Sequence, residues 1–258
     1  MSSAFIRKLT TRMKVQRHRQ KHPKRCLPNK EVAASTKVDI PEISVEDALR
    51  ELAEMTRTMQ AGLPFDHQHV DILLSLTFNS RKSIPIDVLQ PFMCHKTVLS
   101  GEVARWLHSA SFSTLLKKLT DALDKFANAF QEKAAILSVQ EFLSRRSVMS
   151  RLILKDDCSN RAAKKLLGPH CLLHLDQSVQ FTFSATSQVT VKDVSPEEGA
   201  IICLGFYFMR DISYPAAYGQ LLGFLQSVLL NDSFSHNLQS VKLRNLLEKV
   251  CYKSAGVV

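Results

Sequence analysis

Glycine is scarce in this sequence, with eight residues among 258 and no cluster of them. Loops that wrap a phosphate with bare backbone need closely spaced glycines, and neither G-x-G-x-x-G nor G-x-x-x-x-G-K-S/T occurs. The zinc-protease pattern H-E-x-x-H and the serine-hydrolase pattern G-x-S-x-G are also absent. The sequence therefore predicts no catalytic residue, no metal and no cofactor, and we expect a protein that is not an enzyme.

Acidic residues are missing from the first thirty positions, which contain ten Lys or Arg. The formal net charge of the chain is +10, and residues 31–258 balance 24 basic against 24 acidic side chains. A segment without opposite charges and with little apolar surface is expected to stay extended. We predict a flexible basic arm over residues 1–30, a linker over 31–43 and a helix-rich globular domain over 44–258, with a subdivision near residue 169 as an alternative.

The basic arm is open to three interpretations. Its dense run of cations is typical of nuclear import signals and nucleic-acid contacts, because each cation can neutralise a phosphate and release a counterion. The residues assigned to this role are Arg17, Arg19, Lys21, Lys24 and Arg25. Alternatively, the segment from Phe5 to Met13 has one apolar helical face and no acid, as in a cleaved mitochondrial presequence. The third interpretation is a solvated tail that only aids solubility.

A second group of cations follows the middle of the chain. It consists of Arg145, Arg146, Arg151, Lys155, Arg161, Lys164 and Lys165. These side chains either join the arm along a phosphate backbone or line a solvated helix face, and we favour the second interpretation. Phe142 is the only aromatic residue near them in the sequence, so base stacking on single strands is not supported there.

The cysteines point to a reducing compartment. All six are scattered without paired spacing, and no apolar core of a secretory signal follows the first basic residues. Residues 212–231 carry no charged side chain, but Pro215, two glutamines and two glycines make them a poor membrane span. We therefore predict free thiols, no membrane span and a buried helix over this stretch.

Apolar spacing predicts several helices. Ser44 opens the first, Asp66 caps a second through Phe78, and a long one runs from Ser111 to about Val139. The long helix carries a heptad seam at Phe112, Leu116, Leu119, Leu123, Phe126 and Phe130. We favour packing within the chain over dimerisation, and leave homo-oligomerisation open. Two further helices are predicted from Pro215 to Leu230 and from Leu238 to about Tyr252.

Strand patterns are confined to a short part of the chain. Apolar and polar residues alternate over Val179–Phe183 and Val189–Val191, which predicts a hairpin, and His170–Leu175 is a candidate preceding strand. Ala200–Met209 is a continuous apolar run that we interpret as a fully buried strand. The predicted fold class is α+β and predominantly α-helical, with a small antiparallel sheet near residues 170–210.

Three groups of side chains invite functional interpretations. The cluster Asp66–Asp71 and the group His170–His174 contain metal-ligand residue types, but their spacing favours a capped helix start and ordinary packing. Leu243-Arg244-Asn245-Leu246-Leu247 resembles the L-x-x-L-L box by which coactivators dock on nuclear receptors. Leu243, Leu246 and Leu247 are therefore candidates for protein interaction, with core packing as the alternative.

We expect a non-enzymatic adaptor or subunit of a nuclear protein complex. Its partners would be proteins that contact the helical surfaces, and nucleic acid that contacts the arm. The alternative is a mitochondrial matrix protein with a cleaved presequence, associated with nucleic acid or the ribosome. A third and weaker alternative is an enzyme that uses Cys171 or a histidine.

Overall fold

A computed structural model describes most of the chain after residue 42. The residues described are 43–60, 64–81, 92–144, 151–155, 168–183 and 187–251. The chain divides into two compact units, Met1–Ser44 and Val45–Val258, and all of the helices and strands described here belong to the second. The predicted basic arm and nearly all of the predicted linker lie outside the described residues.

The first helices begin where the capping residues predict. Helix α1 spans Val45–Gln60. Helix α2 spans His67–Leu76, and the Asp66 side chain accepts hydrogen bonds from the backbone N–H groups of Gln68 and His69. The predicted second helix is interrupted at Thr77, so that Phe78–Arg81 forms a separate turn, α3. Helix α4 spans Lys96–Trp106.

The long central helix is shorter than predicted. Helix α5 spans Phe112–Phe130, with Ser111 as its N-cap, and ends because Gln131 adopts a left-handed conformation with φ 56°. A separate helix, α6, spans Ile136–Leu143, so the prediction of one helix to Val139 is wrong. The buried side chains of α5 are Leu115, Leu119, Ala122, Leu123 and Phe126. Three of the six seam residues, Leu119, Leu123 and Phe126, are therefore buried in this chain, and Phe112, Leu116 and Phe130 are half-buried.

The sheet has four short strands in sequential order. They are β1 (Ile153–Lys155), β2 (His170–Leu173), β3 (Val179–Thr182) and β4 (Gln188–Val191). The β3–β4 hairpin and the preceding strand are confirmed as antiparallel neighbours. Strand β1 was not predicted, and it pairs in parallel with β2, aligning Ile153 with Cys171. The α+β, predominantly helical class is thus confirmed, and the sheet is mixed rather than purely antiparallel.

The apolar run Ala200–Met209 forms a helix, not the predicted strand. Helix α7 spans Pro196–Met209. Ser195 and Glu198 form a reciprocal capping box at its start, and Pro196 occupies the first turn. Its residues from Gly199 to Tyr207 are all buried, so the helix has no polar face that would reveal a helical period. Phe206 packs against Phe181 of the sheet, with ring centroids 5.7 Å apart.

Two helices complete the unit. Helix α8 spans Gly219–Leu230 and begins four residues after Pro215, so the prediction of Pro215 as its first residue is wrong. Helix α9 spans Val241–Val250 with Ser240 as its N-cap, and follows a 3-10 turn at His236–Leu238. It is shorter than predicted at both ends. No helix in the described ranges is long and apolar enough to cross a bilayer.

Helix α7 is the centre of this arrangement. It contacts α4, α5, α6 and α8 on several sides, and strands β1 and β2 on another. Gly205 allows α4 to approach closely, because a Cβ atom there would lie 2.9 Å from Cγ1 of Val103. The sheet and the helices therefore share one core around α7.

Candidate functional site

The predicted nucleic-acid residues are mostly beyond the part that the structure describes. This applies to the arm residues Arg17, Arg19, Lys21, Lys24 and Arg25 and to the patch residues Arg145, Arg146, Arg161, Lys164 and Lys165. Of the second group, the structure describes Arg151, which is half-buried just before β1, and Lys155, which is exposed at the end of β1.

The L-x-x-L-L residues lie in the core. Leu243 and Leu246 are fully buried, and Leu247 is 6% exposed. They are on the face of α9 that packs against α5, α6 and α8. In this conformation the three leucines have no free surface to offer a docking groove, so their packing agrees with the alternative interpretation, a core helix.

The Asp66–Asp71 cluster is divided among separate contacts. Asp66 caps α2, and Nε2 of His69 lies 2.6 Å from Oε1 of Glu51 on α1. The ring of His67 lies 4.4 Å from that of His95 and contacts Phe65 edge-on. Burial and the neighbouring His67 lower the pKa of His95. Among the described residues, no three His, Cys, Asp or Glu side chains gather as a metal-binding group.

The histidine and the cysteine that begin the His170–His174 group are both buried. Nδ1 of His170 lies 2.8 Å from the carbonyl oxygen of Gly168, and burial lowers the pKa of this histidine. Cys171 and Cys203 are fully buried neighbours. Burial raises the pKa of the Cys203 thiol well above its usual value, and Cys171 adds to the rise. A reactive thiol needs the opposite shift, so the surroundings of Cys203 are those of a core side chain.

A buried charged cluster was not predicted. Glu102 of α4 is fully buried and accepts hydrogen bonds from Arg81, from Nε of Arg105 at 3.0 Å and from the indole of Trp106 at 3.0 Å. Nη1 of Arg105 also lies 2.9 Å from Oδ1 of Asp71, although the two groups are not aligned for a hydrogen bond. The cluster connects α2, α3 and α4. Its members lie on three different helices, so no local sequence pattern predicts that they meet.

A surface of two phenylalanines and two lysines is the strongest candidate for a binding role. The rings of Phe130 and Phe142, at the ends of α5 and α6, have centroids 4.8 Å apart and are half-buried. Nζ of Lys249 lies 4.7 Å from the Phe130 centroid, and Nζ of Lys242 lies 5.5 Å from the Phe142 centroid. We call Phe130, Phe142, Lys242 and Lys249 the lysine–phenylalanine surface.

A buried core residue packs against both rings of this surface. The fully buried ring of Phe126 lies 5.4 Å from Phe130 and 5.8 Å from Phe142. Nζ of Lys242 donates to the carbonyl oxygen of Phe142 at 3.0 Å, which ties α9 to the end of α6. The two rings are thus packed against the core on one side and lie beside the lysines of α9 on the other.

Lysines serve the same capping role at two other helix ends. Nζ of Lys118 donates to the carbonyl oxygen of Leu229 at 2.9 Å, and Nζ of Lys125 donates to that of Val250 at 3.3 Å. A cation at a helix C-terminus satisfies a free carbonyl and complements the helix dipole. These two lysines therefore stabilise α8 and α9. Lys242 both donates to the end of α6 and lies over a ring, and Lys249 lies over a ring.

Sequence analysis missed the lysine–phenylalanine surface because its parts are far apart in the chain. Phe130 was assigned to the heptad seam, and Phe142 was considered only beside the second group of cations. One signal was present: Lys242 and Lys249 are seven residues apart and thus share one side of a helix. Comparisons with protein-family models, with curated proteins and with solved structures found no match to the chain.

Proposed function

We propose that this protein is a non-enzymatic adaptor or subunit of a nuclear protein complex, held near nucleic acid by its basic N-terminal segment. The observation that carries the proposal is the separation of charge. Ten cations and no acid occupy residues 1–30, whereas residues 31–258 are balanced. Such a segment attracts a phosphate backbone without reading its sequence, because it acts through charge alone.

The described part of the chain supports the adaptor role in two ways. Its helices form one packed unit around α7, with surfaces of mixed charge that suit protein partners. Its buried thiol Cys203 has a raised pKa, which disfavours a catalytic role for that residue.

The mechanism we propose is electrostatic. Each Lys or Arg that neutralises a phosphate releases a condensed counterion, so the affinity should fall steeply with salt concentration. The contacts come from Arg17, Arg19, Lys21, Lys24 and Arg25. The arm raises the local concentration of the protein on nucleic acid, while the helical body recruits the other components of the complex.

The salt dependence of binding tests the tether. The variant replaces the five arm cations with Gln in the full chain, and the control replaces Lys117 and Lys133, two exposed lysines of the body, with Gln. We expect the slope of log affinity against log salt for duplex DNA to fall by about 0.9 for each phosphate that the variant no longer neutralises, and to stay nearly constant in the control. An unchanged slope in the arm variant would reject the tether.

Localisation separates the nuclear proposal from the mitochondrial alternative, which rests on the apolar face of Phe5–Met13. Residues 1–30 are fused to a fluorescent reporter too large to diffuse through nuclear pores. We expect nuclear accumulation that disappears when the five cations become Gln. Accumulation in mitochondria, together with a shortened N-terminus by mass measurement of the full protein, would overturn the nuclear assignment.

A further inference from the structure

We infer that the lysine–phenylalanine surface binds single-stranded nucleic acid by stacking bases on Phe130 and Phe142 while Lys242 and Lys249 contact the flanking phosphates. The inference deepens the proposed function, because it assigns a second contact on the body and the form of nucleic acid that this contact prefers. Aromatic rings beside cations are the combination that sequence-independent single-strand binding uses.

The two rings provide the stacking surface. Their centroids are 4.8 Å apart and their planes are inclined by 54°, so they form two adjacent facets rather than one flat plane. Phe126 supports both rings from the core, and they belong to the ends of two different helices. A rigid pair of rings loses little conformational freedom when bases stack on it.

The two lysines are spaced for more than one phosphate. Lys242 and Lys249 are seven residues apart on α9, which corresponds to about 10 Å along the helix axis. Both Nζ atoms now lie over the phenylalanine rings, in the position that a cation takes on an aromatic face. When a base takes that place, Lys242 gives up its hydrogen bond to the Phe142 carbonyl, and the flexible stems of both lysines let the ammonium groups swing outward to the backbone.

Neighbouring polar groups are compatible with an anionic ligand. Asn245 is exposed between the two lysines on α9 and offers both donors and acceptors to a base edge. Glu141 and Glu248 are next to Phe142 and Lys249 in the sequence, but adjacent residues of a helix are rotated by about 100°. Glu141 therefore lies on another side of α6 than Phe142, whereas Glu248, three residues after Asn245, borders the face of α9 that carries Asn245.

A single strand with unpaired bases fits this surface better than an acidic peptide or duplex DNA does. An acidic peptide without apolar or aromatic side chains would use the lysines but would gain nothing from the faces of the two phenylalanines. Duplex DNA offers phosphates but keeps its bases stacked inside the helix, out of reach of the rings. A single strand uses both the rings and the cations.

The test compares single-stranded and duplex probes on the full chain. The probes are a fluorescein-labelled single strand of about 15 nucleotides and the duplex of the same length, followed by fluorescence anisotropy. The first variant combines F130L and F142L, which keeps apolar side chains but removes the rings. The matched variant combines F130Y and F142Y, which keeps them. Circular dichroism and thermal unfolding check that each variant is folded.

We expect the leucine variant to bind the single strand at least about fivefold more weakly, with the salt slope and the duplex affinity unchanged. The tyrosine variant should bind within about twofold of the wild type, because its rings still stack. Equal weakening for both probes, or wild-type binding of the single strand by the leucine variant, would overturn the inference.

A lysine variant keeps the inference testable if the leucine variant does not fold. K242Q with K249Q should lower the single-strand salt slope by about one unit or more, whereas K117Q with K133Q should not. An unchanged slope in the first pair rejects the surface. The arm variant, in which the five arm cations become Gln, separates the two proposals. If it keeps the preference for single strands and its salt slope is unchanged, the arm tether is refuted and the surface is not. If its salt slope is reduced and F130L with F142L does not change binding, the surface is refuted and the tether is not.

Discussion

Arg81 and Glu102 form a bidentate, buried ion pair, although they are 21 residues apart in the sequence. Nη1 of Arg81 lies 2.9 Å from Oε1 of Glu102, and Nη2 lies 3.1 Å from Oε2. The side chains are 3% and 0% exposed. Nη2 of Arg81 also donates to the carbonyl oxygen of Leu74, and Nε donates to Thr77. These hydrogen bonds offset the free-energy cost of removing both charges from water.

Removing the carboxylate should be costly. We expect Glu102→Ala to lower the free energy of unfolding by about 3–5 kcal/mol, because the Arg81 guanidinium would remain buried without its partner. Urea unfolding followed by fluorescence measures the change, since the single tryptophan of the chain, Trp106, donates to Glu102. The control is Glu54→Ala, which removes an exposed pair with Arg57 and should have little effect. Equal stability of the two variants would contradict this account.

Two glycines of helix α8 should respond differently to alanine. A Cβ atom at Gly223 would lie 2.5 Å from the ring of Phe234, whereas one at Gly219 would lie 3.6 Å from Cβ of Tyr214. We expect Gly223→Ala to destabilise the protein by about 1–3 kcal/mol and Gly219→Ala to be tolerated. Thermal and urea unfolding measure both.

The cause of the Gly223 effect can be isolated with a double variant. Phe234→Leu removes the ring that the new methyl group would meet. The combined variant should therefore lose less stability than the sum of the two single variants, as coupled neighbours do. Strict additivity would show that Phe234 is not the obstacle.

We expect the free energy of unfolding to decrease in mild acid because of two buried or half-buried histidines. Burial lowers the pKa of His170 and of His95 in the folded state, with His67 adding to the effect on His95. The unfolded chain then binds more protons as the pH falls through about 6.5, so the free energy of unfolding decreases. The decrease continues until the pH passes the folded-state pKa values. Urea unfolding between neutral and mildly acidic pH measures it, and His170→Gln should reduce the dependence.

The cysteines should differ in their reaction with iodoacetamide. Cys94 and Cys251 are exposed, while Cys171 and Cys203 are buried. We expect the exposed pair to be alkylated in the folded protein, faster as the pH rises, because partial desolvation raises the pKa of both thiols. Cys171 and Cys203 should react only after unfolding. Peptide mass spectrometry locates the labels, and rapid native labelling of Cys203 would contradict the packing around α7.

Capping residues in the sequence located the starts of α2 and α5. Asp66 and Ser111 were identified as caps or starts, and both side chains accept the expected backbone hydrogen bonds. The end of α5 was missed because Gln131 takes the left-handed conformation that glycine or asparagine usually supplies. Apolar spacing then continued past the turn at Ala134 and Leu137 and suggested one longer helix.

The error over residues 200–209 has a different physical origin. A helix buried on all sides shows no period, and a strand buried on both faces shows none either. Ser195 followed three residues later by Glu198, with Pro196 between them, is a helix-start pattern that would have decided the matter. The lysine–phenylalanine surface had no comparable local pattern, because Lys242 and Phe142 are 100 residues apart and meet only through tertiary packing.

The position of helix α7 bears on the synthesis of the protein. Helices α4 to α6 leave the ribosome before the segment that covers their inner faces has been translated, and strands β1 and β2 are in the same situation. A nascent chain that stops short of Met209 thus presents apolar surfaces that no other part of it can cover, which makes such intermediates prone to aggregation and dependent on chaperones. The core around the shared central helix thus cannot form before Met209 is translated, and α8 and α9, which also pack against α5 and α6, complete it afterwards.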